Sequence, residues 1–392
     1  MVAWRKFAEA LDDYVLLGRS GLRVSPLCLG AMTFGESFGI GSNFEASKNV
    51  FDYYYGKGGN FIGMYITANN VQDSLYNGNK LTRCLLFLDT ANIYNLGESE
   101  QFLKEYIADK RSQVVIATKY TMNPTAMMPN VKFNPNAGGN NRKSLVENLN
   151  ESLKRLGTGY TDILYVHAWE YNTPIEEVMR SLDDVVRTWV ISCTNMLADI
   201  RGWSRFIGLQ TRYNLLNRSL EFDIQSACAE FEVGIIPWGC LAEGFLTGKY
   251  TRESIANTKK GSNMSDYRSN SAIAFAEDEQ NWKILDEIIA IAAEIKRSPV
   301  QVTLNWISQK PGITSPLVGA KTKAQLIENL KALEFKLTPE QMARLDAVSA
   351  PKYIPFPYSY ASDLQTIVNK GVQTRDKYKP MLKMGSQYKG IH

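Results

Sequence analysis

The chain has 392 residues, 44% hydrophobic and 21% charged, with a formal net charge of +4 spread along its length. This composition excludes wholesale disorder and gives no reason to expect a nucleic-acid or membrane partner. Only two histidines occur, His167 and His392, so no metal site is expected, and no apolar run approaches the roughly 18–20 residues of a membrane span.

Tyr14–Leu17 and Leu22–Val24 flank Gly18-Arg19-Ser20-Gly21, which predicts a hairpin able to cover the bottom of a barrel. Short apolar segments follow at Val24–Leu29, Leu85–Leu88, Val114–Thr118, Asp162–Val166, Phe206–Gln210, Val233–Pro237 and Ser315–Val318, and read as strands. Between them, helical periodicity marks Glu45–Tyr55, Glu98–Ala108, Lys143–Leu156, Ile175–Arg187, Asn217–Phe231, Trp282–Lys296 and Lys323–Ala332. Pro299 and Pro339 sit where two further helices begin, because a first-turn N–H has no intrahelical partner to lose. The alternation is that of a parallel α/β sheet, one strand short of a closed (β/α)8 TIM barrel. Thr251–Ala276, rich in Ser, Asn and Lys, reads as a mobile loop, and the tail after Pro351 as a surface wrap. Cys28, Cys84, Cys193, Cys228 and Cys240 are odd in number and show no CxxC spacing. With no signal peptide evident, they read as thiols of a reducing cytoplasm.

Polar residues end or follow three strands: Asp89 and Tyr94 in Asp-Thr-Ala-Asn-Ile-Tyr, Lys119 after Val-Val-Ile-Ala-Thr, and His167 after Asp-Ile-Leu-Tyr-Val. The C-terminal strand ends of a β/α barrel converge on one mouth, where these side chains can meet. A lysine behind an apolar run is costly unless a carboxylate pairs with it, and Asp89 is placed to do so. A phenol titrates near ~10; a neighbouring ammonium favours the phenolate and makes tyrosine a usable acid and base. A histidine there can orient a carbonyl oxygen or relay the proton.

These residues, with Leu17–Gly35, Ala-Thr-Lys-Tyr, Tyr-Val-His-Ala-Trp-Glu, Pro-Trp-Gly-Cys-Leu-Ala-Glu-Gly-Phe-Leu-Thr-Gly-Lys-Tyr and Pro-Leu-Val-Gly-Ala-Lys-Thr, resemble the aldo-keto reductase superfamily, in the branch of fungal aryl-alcohol dehydrogenases. The resemblance runs from about Tyr14 to Gln373. It implies a single barrel domain over residues 1–392 and an NADP(H)-dependent oxidoreductase interconverting small aldehydes or ketones with alcohols. Tyr94 corresponds to the acid/base, Lys119 and Asp89 to its tuning pair, and His167 to the substrate-orienting residue. Gly30, Met32, Thr33 and Asp89 match cofactor-touching positions, and Gln210 one near the nicotinamide carboxamide. Trp238 matches the ring that stacks on nicotinamide. Gly239, Leu241, Gly248 and Lys249 match the diphosphate loop, and Gly319, Lys321, Gln325 and Asn329 the adenosine end. A cation at Lys321 beside a helix start suits a ribose 2′-phosphate, favouring NADP over NAD.

Two segments depart from the family pattern. Gly63–Leu88 stands between Gly58-Gly59-Asn60-Phe61-Ile62 and Asp89, opening on Gly-Met-Tyr, and reads as a retained intron in frame or a gene-model error. Leu85–Leu88 would then replace Asn60–Ile62 as the strand into Asp89, with the remainder looping out at the barrel's N-terminal end. After Arg187 the family's fifth strand is missing, unless Trp189–Ser192 is drafted as one, with Ser192 or Asn195 near the carboxamide. These departures keep open a second reading, an impaired enzyme or cofactor-binding regulatory protein. A third is a barrel hydrolase using Glu170. Gly39-Ile-Gly41 lacks a third glycine, and Gly244-Phe-Leu-Thr-Gly248-Lys249 is one residue short of a P-loop and lacks its Ser/Thr, so neither is a nucleotide fingerprint. Trp203 and Trp306 read as packing residues.

Overall fold

The computed structural model describes residues 7–37, 41–63, 94–126, 131–168, 170, 172–185, 191–202, 205–222, 224–261 and 267–352. Its strands in chain order are β1 (Val15–Leu16), β2 (Arg23–Val24), β3 (Cys28–Gly30), β4 (Phe61–Gly63), β5 (Val115–Tyr120), β6 (Ile163–Val166), β7 (Gly208–Arg212), β8 (Gly234–Trp238) and β9 (Leu317–Gly319). The described residues fall into two compact units. One comprises Leu27–Phe206 with Leu317–Ile327, the other the parts of Met1–Pro26, Ile207–Pro316 and Glu328–His392 that are described.

The first unit is built on a five-stranded sheet in the order β6-β5-β4-β3-β9. Every pairing in it is parallel, with Gly30 opposite both Gly63 and Gly319, and Lys119 opposite Tyr165. β5 is buried along its whole length, as expected for a parallel strand covered on both faces. The helix Arg142–Leu156 begins where Asn141 accepts a hydrogen bond from the Ser144 N–H. Leu145 and Leu149, one turn apart, pack with Tyr120, Leu164, Val166, Val178 and Leu182 into one core cluster. Each such side chain contributes roughly 1.5–3 kcal/mol of burial.

The second unit holds the β1–β2 antiparallel hairpin and the parallel β7–β8 pair. The hairpin turns at Gly18, whose φ is +53; a Cβ there would lie 2.0 Å from the Ile207 carbonyl oxygen and 2.8 Å from that of Glu232. Only glycine fits this approach to the N-terminal ends of β7 and β8. Helices Pro299–Ser308 and Pro339–Val348 carry proline in the first turn and complete capping boxes, Ser298 with Gln301 and Thr338 with Gln341. Asn305, fully buried, donates to the carbonyls of Ala332 and Phe335 and accepts from the Leu337 N–H. Trp306 is also fully buried and stacks on Tyr213 at 5.5 Å, a packing role as expected.

Several sequence expectations are corrected. Val24–Leu29 is two strands, because Pro26 supplies no N–H to a ladder. Asn217–Phe231 divides into a 3-10 turn, Ser219–Glu221, and the helix Ile224–Phe231. Thr251–Ala276 is largely helical, Arg252–Gly261 and Tyr267–Ala276. Its polar composition concealed Ile255 and Ala272, which are buried, and Phe275, which packs on Phe245. β4 occupies the place between β3 and β5, so Leu85–Leu88 does not substitute for Phe61–Ile62; Leu85–Leu88 itself lies outside the described residues. The remainder of the insert, expected to loop out at the N-terminal end, also lies outside the described residues. Ile191–Arg201 is a helix, which removes Ile191 and Ser192 from any drafted strand. Among the described residues no strand stands between β6 and β7, and Trp189 and Val190 lie outside them.

Candidate active site

Because β3, β4, β5, β6 and β9 run parallel, their C-terminal ends share one edge of the sheet. Lys119 lies at that edge on β5, His167 follows β6, and the chain is described again at Tyr94 after leaving β4. Lys119 is 2% exposed and Tyr94 1% exposed, and the Lys119 ammonium lies 5.7 Å from the Tyr94 ring centroid. The same ammonium lies 5.7 Å from the ring centroid of Tyr165. Both ring nitrogens of His167 are shielded from solvent. Burial, and then the Lys119 charge, hold the imidazole well below its ordinary value, so it is neutral at physiological pH. Tyr94, Lys119 and His167 therefore come together at one rim. Asp89 lies outside the described residues.

Tyr94 is held by its successors. Asn95, buried with φ +45, donates to the carbonyls of Met32 and Phe34. Ser99 donates to the Ala31 carbonyl at 2.7 Å, and Glu98 accepts from the backbone N–H groups of Glu36 and Ser37. Residues 31–37 are thus sewn to the start of the helix Glu98–Ile107. Thr33 donates to the Ala320 carbonyl at 2.9 Å and ties the same loop to the end of β9.

Lys119 and His167 have their own supports. Thr118, the preceding residue, donates to Glu100, which the Arg155 guanidinium also meets at 2.6 Å. Thr121 just beyond β5 has φ +105, costly for a β-branched side chain. Its hydroxyl donates to Asn140 and accepts from the His167 N–H at 3.3 Å, while the His167 N–H also reaches the Tyr120 carbonyl. Backbone strain maintained beside two candidate catalytic groups is the usual mark of a functional rim. Asn95, Ser99, Glu100, Thr121 and Asn140 were not found from sequence, and Thr33 was named only for the cofactor; each acts through a partner distant in the chain.

The expected dinucleotide contacts divide between the units. In the first, Gly30 ends β3, Met32 and Thr33 follow it buried, and Gly319 ends β9 exposed. A Cβ at Gly319 would meet nothing within 4 Å, and Lys321 follows half-buried, its N–H donated to the Gln325 side chain at 2.8 Å. Asn329, which falls in the second unit, is buried near the end of the helix Lys323–Leu330.

In the second unit Gln210 lies on β7 and Trp238 ends β8 half-buried. The Gln210 Nε2 is shielded from solvent and makes no hydrogen bond among the described residues. An amide donor in that state suits a ligand acceptor such as a carboxamide oxygen. Gly239 has φ +64 and its carbonyl accepts from Asn214. Leu241 starts a turn in which Ala242, Glu243 and Gly244 all have positive φ, closed by Gly248 at φ +78 and exposed Lys249. The structure adds Arg212, opposite Trp238 across the ladder, with Glu243 at 3.4 Å.

Asn195 lies on the helix Ile191–Arg201, where its Oδ1 accepts from the Phe206 N–H at 2.8 Å and its Nδ2 makes no hydrogen bond among the described residues. Glu170 is no free carboxylate for hydrolysis. Burial raises its titration, but hydrogen bonds from Thr173, Asn172 and Asn140 outweigh that and keep it ionised. Among the described residues, no helix is long and apolar enough to cross a membrane.

A profile of the Aldo/keto reductase family matches residues 26–350. Norsolorinic acid reductase B of Dothistroma septosporum is 31% identical over 365 residues, covering 88% of this chain and 82% of that protein. Norsolorinic acid reductase of Aspergillus flavus is 29% identical over 370 residues, covering 90% of this chain and 84% of its own. The NADP(+) aryl-alcohol dehydrogenase of Phanerodontia chrysosporium is 30% identical over 383 residues, covering 91% of each chain. The chain belongs to the aldo/keto reductase family, and it is an oxidoreductase.

Proposed function

We propose that the protein is a cytoplasmic, NADP(H)-dependent enzyme that interconverts aldehydes or ketones with alcohols. In this reading residues 1–392 form one (β/α)8 domain acting on a small carbonyl compound, an aromatic one by likeness to the aryl-alcohol dehydrogenase. The observation that carries the reading is the Lys119 ammonium, 2% exposed, facing the buried Tyr94 ring. An amine kept charged in such a place needs a role that repays its desolvation. It stabilises the negative charge on the Tyr94 oxygen after that phenol gives its proton to a carbonyl oxygen. In the reverse direction the phenolate takes the proton from an alcohol. His167, neutral, offers one ring N–H to the substrate oxygen and fixes its direction. Burial of the rim excludes water, which strengthens each of these interactions.

The dinucleotide, when bound, supplies or accepts the hydride. Gly30, Met32, Thr33, Gly319, Lys321, Gln325 and Asn329 would hold it from the first strand set and its following helix. Gln210, Trp238, Gly239, Leu241, Gly248 and Lys249 would hold it from the second. Lys321, at the approach to the helix Lys323–Leu330, favours the 2′-phosphate of NADP.

The test begins with NADPH fluorescence quenching, followed by turnover of an aromatic aldehyde. Tyr94→Phe is expected to bind NADPH as the parent does and to lose about 10²–10⁴-fold in kcat. Undiminished turnover in that variant would overturn the assignment. No observation favours the reading of a cofactor-binding protein without turnover.

A further inference from the structure

Resting on that reading, we propose that Tyr165 is a positioning residue whose ring, with that of Tyr94, clamps the Lys119 ammonium at the point of proton transfer. Tyr165 stands directly opposite Lys119 in the β5–β6 register, so the two side chains rise on the same face of the sheet. The ammonium is equidistant from the two rings, 5.7 Å from each centroid. Tyr165 is 5% exposed, and its hydroxyl makes no hydrogen bond among the described residues. The side chain therefore meets the charge through its ring face, not through its oxygen.

A buried ammonium on a four-carbon stem has many rotamers to lose. Each aromatic face narrows that choice, because a ring attracts a cation along its normal and most strongly where water is absent. Lys119 is then aimed at Tyr94 before substrate arrives. The titratable neighbours of the clamp on the described elements are Tyr94 and His167, which face Lys119, and Cys28, which faces Tyr165 from β3. His167 is neutral, and burial raises the Tyr165 phenol well above its ordinary value, so neither supplies a competing charge at physiological pH.

The test replaces Tyr165 by phenylalanine and then by phenylalanines of increasing fluorination, which keep the ring's shape while withdrawing electron density from its face. Tyr165→Phe is expected to retain most of the turnover. Across the fluorinated series kcat should fall by about tenfold, and the basic limb of the pH–kcat profile should move to lower pH by about one unit, with NADPH affinity unchanged. Tyr165→Leu, which deletes the face altogether, should match the most fluorinated ring. If that variant fails to fold, the isosteric series still decides. A kcat and a basic limb that do not vary with fluorination would overturn the clamp. Tyr94→Phe run in parallel separates the two ideas: loss of turnover there with a flat series defeats the clamp alone, whereas undiminished turnover defeats the proposed function itself.

Discussion

The two units each bury a charged cluster, and they treat it differently. In the second, the Arg218 guanidinium meets both Glu221 carboxylate oxygens at 2.8 Å and donates to the Asp346 carbonyl and the Ser349 hydroxyl. Lys310 and the Trp306 indole close on the Asp346 carboxylate, and the Tyr213 hydroxyl donates to Glu221. Burial raises the Glu221 carboxyl, but Arg218 more than offsets it and holds the group below its usual range. In the first unit, the Tyr165 phenol is buried beside the Lys119 ammonium, with a hydroxyl that makes no hydrogen bond among the described residues. A closed network of fixed partners fastens structure. A cluster that leaves donors and acceptors for something else, on the rim of a parallel sheet, is suited to chemistry.

The contrast can be broken most severely at Lys119. Lys119→Met is expected to lower kcat about 10²–10⁴-fold in a protein that still folds. Kinetics and thermal melts on the same preparation check both halves; a large loss of stability without loss of turnover would reverse the assignment of the two clusters. Arg218→Ala should do the opposite, costing about 3–5 kcal/mol by stranding Glu221. Urea titration measures that cost, and turnover per folded molecule should stay at the parental value.

The smallest expected effect sharpens the comparison through pH. His167 titrates lower in the folded protein than in the unfolded chain, so below pH ~6.5 the unfolded state binds a proton that the folded state refuses. Stability is therefore complete above pH ~6.5 and falls on acidification, by up to about 1.4 kcal/mol per pH unit until the folded value is reached. Urea midpoints at pH 7.0 and 5.5 should differ in that direction, and His167→Asn should flatten the difference. An unchanged slope in that variant would mean the imidazole is not held neutral by the fold.

Legibility from sequence followed the range of the interaction concerned. Lys119 and His167 were visible because a polar residue closing an apolar strand is a local pattern. The hairpin before β3 was legible for the same reason, through a four-residue glycine turn, whereas Trp238 was named through the resemblance of Pro-Trp-Gly to the family motif. Thr33 and Asn95 were not seen as supports, since Thr33 bonds to Ala320 and Asn95 to Met32, partners that no local spacing reveals. Ile191 and Ser192 misled as a strand because β-branched and small residues give a weak preference, which the helix Ile191–Arg201 overrides.

By itself, the sequence determined the alternation of strand and helix, the family, and which side chains end the strands. These depend on periodicity and on residues next to one another. Only the tertiary structure decided that Phe61–Gly63 stands between β3 and β5, and that Tyr165 faces Lys119. It alone decided that the Arg218 cluster is closed. Strand order, register and the satisfaction of buried polar groups arise from contacts between segments far apart in the chain, and their free energy exists only once those segments have met.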